Sequence, residues 1–202
     1  MQQKGRNHIN ADKYNGKYRI PGARWTAWDY SSNAAYFVTI CTAKRAHDFG
    51  EIANGAMVFT ALGRAAADCW DEIPAHFPFV LLDAFVVMPN HVHGIVVINK
   101  RVETQDFASV IRTHGETQDL ASLRDGRGNK FGPQSQNLAS IVRGYKIGVT
   151  RFARANNIPF EWQARYHDRV IRGAGEHERI AYYILANPQK WAEDELNAAR
   201  EH

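Results

Sequence analysis

Cysteine is scarce in this chain. The two present, Cys41 and Cys69, sit in apolar patterns with no CxxC spacing, which excludes a disulfide framework and a thiolate zinc knuckle and leaves reduced core thiols. No apolar run approaches the ~18 residues of a membrane span, and the polar, basic N-terminus lacks a signal peptide's apolar stretch, so the expectation is a cytoplasmic protein with no membrane partner. HExxH, the Cys/His zinc spacings and the Walker-type glycine loop are absent as well, so chemistry driven by ATP is not expected. What remains is ordinary: 45% hydrophobic and 23% charged residues in a chain of 202, enough for one domain with a long arm or insertion. A net charge of +4 and a pI near 9.1 allow a polyanionic partner.

Residues 1–34 are rich in Lys, Arg, Asn, Gly and Tyr without periodicity and read as a basic arm. Its stretch around Arg19, Arg24, Trp25 and Trp28 can stack bases and neutralise phosphates, or can pack its tryptophans onto the body. The β-branched and aromatic run at 36–42 predicts a buried first strand. Asn54-Gly55 predicts a type I′ hairpin between 51–53 and 56–59. Thr60 then caps a helix to about Ile73, with Leu62, Ala66, Cys69 and Ile73 on one stripe, stopping before Pro74.

Two strands follow, at 79–87 and 91–98, paired antiparallel across Met88-Pro89-Asn90. Val92, Val96 and Ile98 point away from the histidines, and Gly94 leaves that other face room for a helix. The segment 99–136 duplicates ETQDFAS as ETQDLAS and is polar and Gly-rich, hence a flexible insertion. Residues 138–155 predict a two-faced helix, with Leu138, Ile141, Tyr145, Val149 and Phe152 inward and Arg143, Lys146 and Arg154 outward as candidate phosphate contacts. A last strand at 168–172, a break at Gly173-Ala174-Gly175 and a helix from Glu176 to Asn187, ended by Pro188, complete the pattern before a tail at 192–202. The order strand, helix, strand, strand, helix, strand, helix predicts an α+β fold: a ferredoxin-like antiparallel sheet with helices packed on one face and an appended C-terminal helix.

The residues able to do chemistry fall in two places. His91 and His93 alternate on one strand, so they share a face and can hold one metal ion. Tyr183 and Asn187, four residues apart, share a face of the last helix, with Glu176 and Arg179 near the same side and Tyr182 turned about 100° toward the core. A tyrosine beside a metal-binding strand in basic surroundings is a candidate phosphodiester nucleophile. Tyr166, on the approach to the last strand, is the second candidate.

Together, Tyr36-Phe37-Val38-Thr39-Ile40-Cys41-Thr42, Met88-Pro89-Asn90-His91-Val92-His93-Gly94, Trp162-Gln163 and Tyr183-Ile184-Leu185-Ala186-Asn187-Pro188 resemble the REP-associated tyrosine transposases, relatives of the HUH single-strand transposases. The resemblance covers about residues 19–191. It departs at His167 and Arg169, where the family often has an aromatic residue and a histidine. It implies a transposase-like domain over 35–191 and a metal-dependent single-stranded DNA endonuclease and strand transferase acting on REP-type hairpins. It also implies Mg²⁺ or Mn²⁺ held by His91, His93 and Asn187, Tyr183 as the nucleophile that forms a 5′-phosphotyrosine, a bacterial cytoplasmic location at the nucleoid, and a monomer or homodimer. Arg19, Arg24, Trp25, Arg143 and Lys146 are the candidate DNA contacts. A hairpin-DNA-binding regulator with vestigial cleavage and a hydrolytic metal-dependent phosphodiesterase are the alternatives.

Overall fold

The computed structural model describes residues 28–100 and 136–197, together with the backbone of 13–14 and 17–18. Those last four residues form two short antiparallel strands, β1 (Lys13–Tyr14) and β2 (Lys17–Tyr18). Arg19, Arg24, Trp25 and most of the insertion lie outside the described residues.

Four strands make the central sheet: β3 (Ala34–Cys41), β6 (Val80–Met88), β7 (His91–Ile98) and β8 (His167–Ile171). They lie in the order β6-β7-β3-β8 with every neighbour antiparallel, the ferredoxin-like arrangement. Both inner strands, β3 and β7, are buried along almost their whole length because each face is covered, and they are apolar apart from Thr39, His91 and His93. A bulge between Leu82 and Phe85 shifts the β6–β7 register and turns the bulged segment toward the helix described last below. The small hairpin β4 (Gly50–Ala53) and β5 (Ala56–Phe59) closes through Asn54 and Gly55, both at positive φ, as a type I′ turn requires.

Helix α1 (Ala61–Asp71) starts where Thr60 accepts from the Gly63 N–H at 3.0 Å, and α3 (Leu138–Ala155) starts in a reciprocal Asn137–Ser140 capping box. Both helices cover one face, burying Leu62, Ala66, Trp70, Leu138, Ile141, Tyr145 and Val149 against Tyr36, Val38, Ile40, Val92 and Val96. Trp70 stacks on Phe85 with ring centroids 4.4 Å apart and sits over Gly94, where an added Cβ would come within 2.3 Å of the indole. Gly94 thus leaves the space that the Trp70 indole of α1 fills against the sheet.

Helix α4 (Ala174–Ala186) covers the other face, its buried Ile184 meeting Ala35, Ile95, Val97 and Ile171. Proline stops neither helical region outright. After Glu72 the chain forms α2 (Ile73–His76) with Pro74 in its first turn, where the missing N–H costs nothing. Asn187, expected to leave the helical region ahead of Pro188, has φ −58 and ψ −42, and the chain tightens into a 3₁₀ helix over Asn187–Glu193. Among the described residues no helix is long and apolar enough to cross a membrane.

Candidate active site and metal centre

The strand alternation puts Thr39, Phe37, His91, His93 and Ile95 on the face that α4 covers. Both imidazoles are buried. The Asn90 amide donates from Nδ2 to the carbonyls of Leu196 (2.8 Å) and Arg45 (3.3 Å), which turns its Oδ1 toward His91 Nδ1 at 2.8 Å. An amide oxygen only accepts, so Nδ1 carries the proton and His91 Nε2 presents a lone pair. That Nε2 is buried and has no hydrogen-bond partner among the described residues. His93 is held from behind by Thr39, Oγ1 to Nδ1 2.8 Å. Burial, with a smaller push from His93 and Arg45, holds the His91 imidazole well below its ordinary value, and burial, with His167 behind it, brings His93 down to about 3. At neutral pH both rings are uncharged, the state in which imidazole binds a metal.

Helix α4 is docked by Ile184 with the partly buried Ile180 and Ala181. At its N-terminal end His177 meets Asp83 on the β6 bulge, and Glu176 pairs with Arg169 (2.5 Å) while accepting from the Arg172 N–H (2.8 Å). So held, the helix presents Tyr183 over β7, its hydroxyl 3.3 Å from His93 Nε2 and its ring edge-on to Phe37. Tyr183 is 45% exposed, open to an incoming molecule. Partial burial and then the Asp194 carboxylate raise its pKa, against a hydrogen bond from Asn187 that lowers it. Asn187 is itself buried, and its Oδ1 is unpartnered among the described residues. The sequence expectation for Tyr182 is corrected here. It is 69% exposed, with Lys190 over its ring, because the stripe that meets the sheet runs through Ile180 and Ile184 and leaves Tyr182 outside it.

One site residue was missed. The 3₁₀ turn after Asn187 brings Asp194 beside the histidines: one donor atom each from His91, His93 and Asp194 lie within 4.8 Å of one another. Asp194 Oδ2 is buried, unpartnered among the described residues and 4.0 Å from His91 Nε2. Residues 192–197 are therefore a fitted closing turn, with Trp191 packed on His91 and His47 and Leu196 tied to Asn90. The available signal was Trp191, a large aromatic just before a stretch that otherwise looked like a tail.

The remaining sequence candidates sit apart from this cluster. Arg143 is exposed on α3, across the sheet. Lys146 is not outward: it is half-buried, its ammonium donating to the carbonyls of Gln163 (2.7 Å) and Arg165 (3.4 Å) over the Trp162 ring, and burial lowers its pKa. Tyr166 packs against the core on the α1 and α3 face, away from His93.

With this geometry in hand, the chain can be compared with known proteins. It is 37% identical over 186 residues to an uncharacterized protein of Haemophilus influenzae, covering 91% of this chain and 97% of that one. The chain belongs to that protein's family. No family model matches. Among solved structures it is similar to a REP-associated tyrosine transposase bound to a REP hairpin, with a TM-score of 0.52 and 16% identity over 83% of this chain and 74% of that one. The two share a fold: the four-stranded antiparallel sheet, the helices packed on it and the C-terminal helix.

Proposed function

We propose that this protein is a metal-dependent single-stranded DNA endonuclease and strand transferase of the HUH type, with Tyr183 as nucleophile and hairpin DNA as substrate. What supports the reading is one feature above all. His91 Nε2, Asp194 Oδ2 and Asn187 Oδ1 are buried donors of electron pairs, all unpartnered among the described residues, next to Tyr183, whose hydroxyl meets His93. Buried polar atoms are almost always satisfied, so orphaned acceptors beside a nucleophile point to a cation. The 4.0 Å between His91 Nε2 and Asp194 Oδ2 is too long for a hydrogen bond and within the span that one ion with bonds of ~2.1 Å bridges.

His91, His93 and Asp194 would hold the ion, with Asn187 as a further oxygen donor. This mixed nitrogen and oxygen set suits Mn²⁺ or Mg²⁺, Mn²⁺ the better for its imidazoles. When bound, the ion acts as a Lewis acid toward a phosphate oxygen. The chain's own residues do the rest. Thr39 and Asn90 fix the imidazoles, Asn187 orients the phenol and favours its ionised form, and the α4 anchors hold Tyr183 at the open side of the site. The Tyr183 oxygen attacks phosphorus, the bond to the 3′ oxygen breaks, and the phenol's proton is balanced by the released 3′-OH. A 5′-phosphotyrosine remains, and attack by a second 3′-OH reverses the step, so no nucleotide cofactor is consumed. All these groups come from one chain, so a monomer contains a whole site. The hairpin substrate is suggested by the solved transposase of this fold, which is bound to one.

Incubation of the protein with a labelled single-stranded hairpin and Mn²⁺ should give a protein–DNA adduct that survives denaturation. Tyr183→Phe should abolish it. An adduct surviving in that variant would sink the nucleophile assignment, cleavage without adduct would favour a hydrolase, and binding alone a regulator.

A further inference from the structure

The outer surface of α4 carries an open aromatic ring directly beside the nucleophile. Among the described residues the exposed large hydrophobics are Val58, Ile147, Tyr182, Tyr183 and Leu185, and three of these five fall within four consecutive positions. Tyr183 belongs to the site. Tyr182, 69% exposed, and Leu185, 65% exposed, do not. They stand three residues apart on α4 and so are neighbours on its surface, with Tyr182 turned about 100° from Tyr183. Lys190, exposed in the 3₁₀ turn that follows, brings its ammonium over the Tyr182 ring, 5.8 Å from the centroid. We infer that Tyr182 is a stacking platform for an unpaired base next to the scissile phosphate, with Leu185 beside that base and Lys190 on the backbone of the strand.

Three observations carry this. The first is position: neighbouring Cα atoms lie ~3.8 Å apart, so a strand that presents a phosphate to Tyr183 carries an adjoining nucleotide past Tyr182. The second is chemistry. An aromatic face with a cation at its edge takes up a single strand, the base stacking on the ring and the cation meeting phosphate. A base within a duplex has both faces covered by its neighbours, so an unpaired one is the partner. Lys190 forms no ion pair with a carboxylate among the described residues, which leaves its charge to a phosphate. One turn before Tyr182, Glu178 and Arg179 are both exposed and their charges offset each other. The third is size. A tyrosine buries ~150–250 Å², and even two side chains of that size fall short of the ~800 Å² per partner of a standard protein interface. One base, by contrast, covers one ring.

The inference rests on the DNA reading above, and its test needs no cleavage. The full-length Tyr183→Phe protein is mixed with a DNA hairpin carrying a single-stranded flank, in which 2-aminopurine, a base whose fluorescence is quenched by stacking, is placed at each position in turn. One flank position should be quenched on binding. Adding Tyr182→Ala should abolish that quench and weaken binding about tenfold, the loss of one stacked base, while Tyr182→Phe should keep both. Lys190→Gln should reduce the slope of log K against log salt by about 0.7, and an unmoved slope would take Lys190 off the strand's path. A hairpin without the flank should bind the Tyr182→Ala and parent proteins equally. Thermal melts of each variant confirm that it is folded. A quench or an affinity unmoved by Tyr182→Ala would overturn the platform, and so would an equal loss on the hairpin without the flank. A dimer in solution that Tyr182→Ala dissolves would assign the ring to a second copy and overturn it too. Failure to bind any DNA would sink the DNA reading and the platform with it, whereas a Tyr182-dependent quench without a wild-type adduct would sink the enzyme and leave the platform.

Discussion

His91 and His93 are neutral in the folded protein because their burial makes charge costly, and this fixes how stability depends on pH. The unfolded histidines titrate near 6.5, whereas the folded His93 reaches only about 3 and His91 lies well below its ordinary value. Falling pH therefore loads protons onto the unfolded chain first. Stability is complete above about pH 6.5 and declines below it, by up to about 1.4 kcal/mol per pH unit for each histidine. Urea midpoints of metal-free protein should thus fall from pH 7.5 to pH 5, and a midpoint that does not move would refute neutral burial. Much of the site was legible at this scale because it obeys simple periods: two histidines at strand spacing, and Tyr183 with Asn187 at helical spacing. Asp194 obeys none. It is the extended residue just past the proline-containing 3₁₀ turn Asn187–Glu193, and the packing of Trp191 and the Asn90 contact to Leu196 bring it in.

The elements were legible where local chemistry is strong. Thr60, Asn54-Gly55 and the stripe of α3 each mark a boundary or a face that the structure reproduces. The chain was hard to read where tertiary contact overrides a local preference, as at Asn187, or where two helical faces compete, as at Tyr182 and Ile184. Two glycines test these contacts. A Cβ at position 94 would lie 2.3 Å from Trp70 Cζ2 and 2.5 Å from Cη2, and Trp70 is itself pinned on Phe85. Gly94→Ala should therefore lower stability by about 1–3 kcal/mol, read as a lower urea midpoint at an unchanged slope. Gly175, inside α4, has nothing within 4 Å of an added Cβ, and Gly175→Ala should raise stability by about 0.5–1 kcal/mol. Equal effects at the two positions would show that the indole contact does not limit the packing.

For the whole molecule, the order of elements was enough to give the sheet, since one tight antiparallel link, β6 to β7, and two helix-bearing crossovers, β3 to β6 and β7 to β8, leave few alternatives. Which face α4 would take was not contained in any one segment. It depends on Asp83 reaching His177 across the β6 bulge and on Ile184 filling the face of Ala35, Ile95 and Val97. The proposed metal centre of His91, His93 and Asp194 joins these parts, so metal bound there should stabilise the whole chain. At a free Mn²⁺ concentration of about 100 Kd the gain is about 2.7 kcal/mol, several degrees in Tm, and a chelator should reverse it. Asp194→Asn should lose most of that shift, and an undiminished shift would remove Asp194 from the ligand set.

The Asn90 amide joins residues 106 positions apart, and Tyr183 meets His93 across 90. Contacts of such long separation close late. During synthesis the histidine strand emerges first, without the carboxylate or the phenol that face it in the finished protein. The site is assembled only after the polypeptide has folded back on its own middle. A chain that ends between residues 171 and 194 keeps the sheet's four strands but lacks the Asp194 carboxylate that faces the histidines.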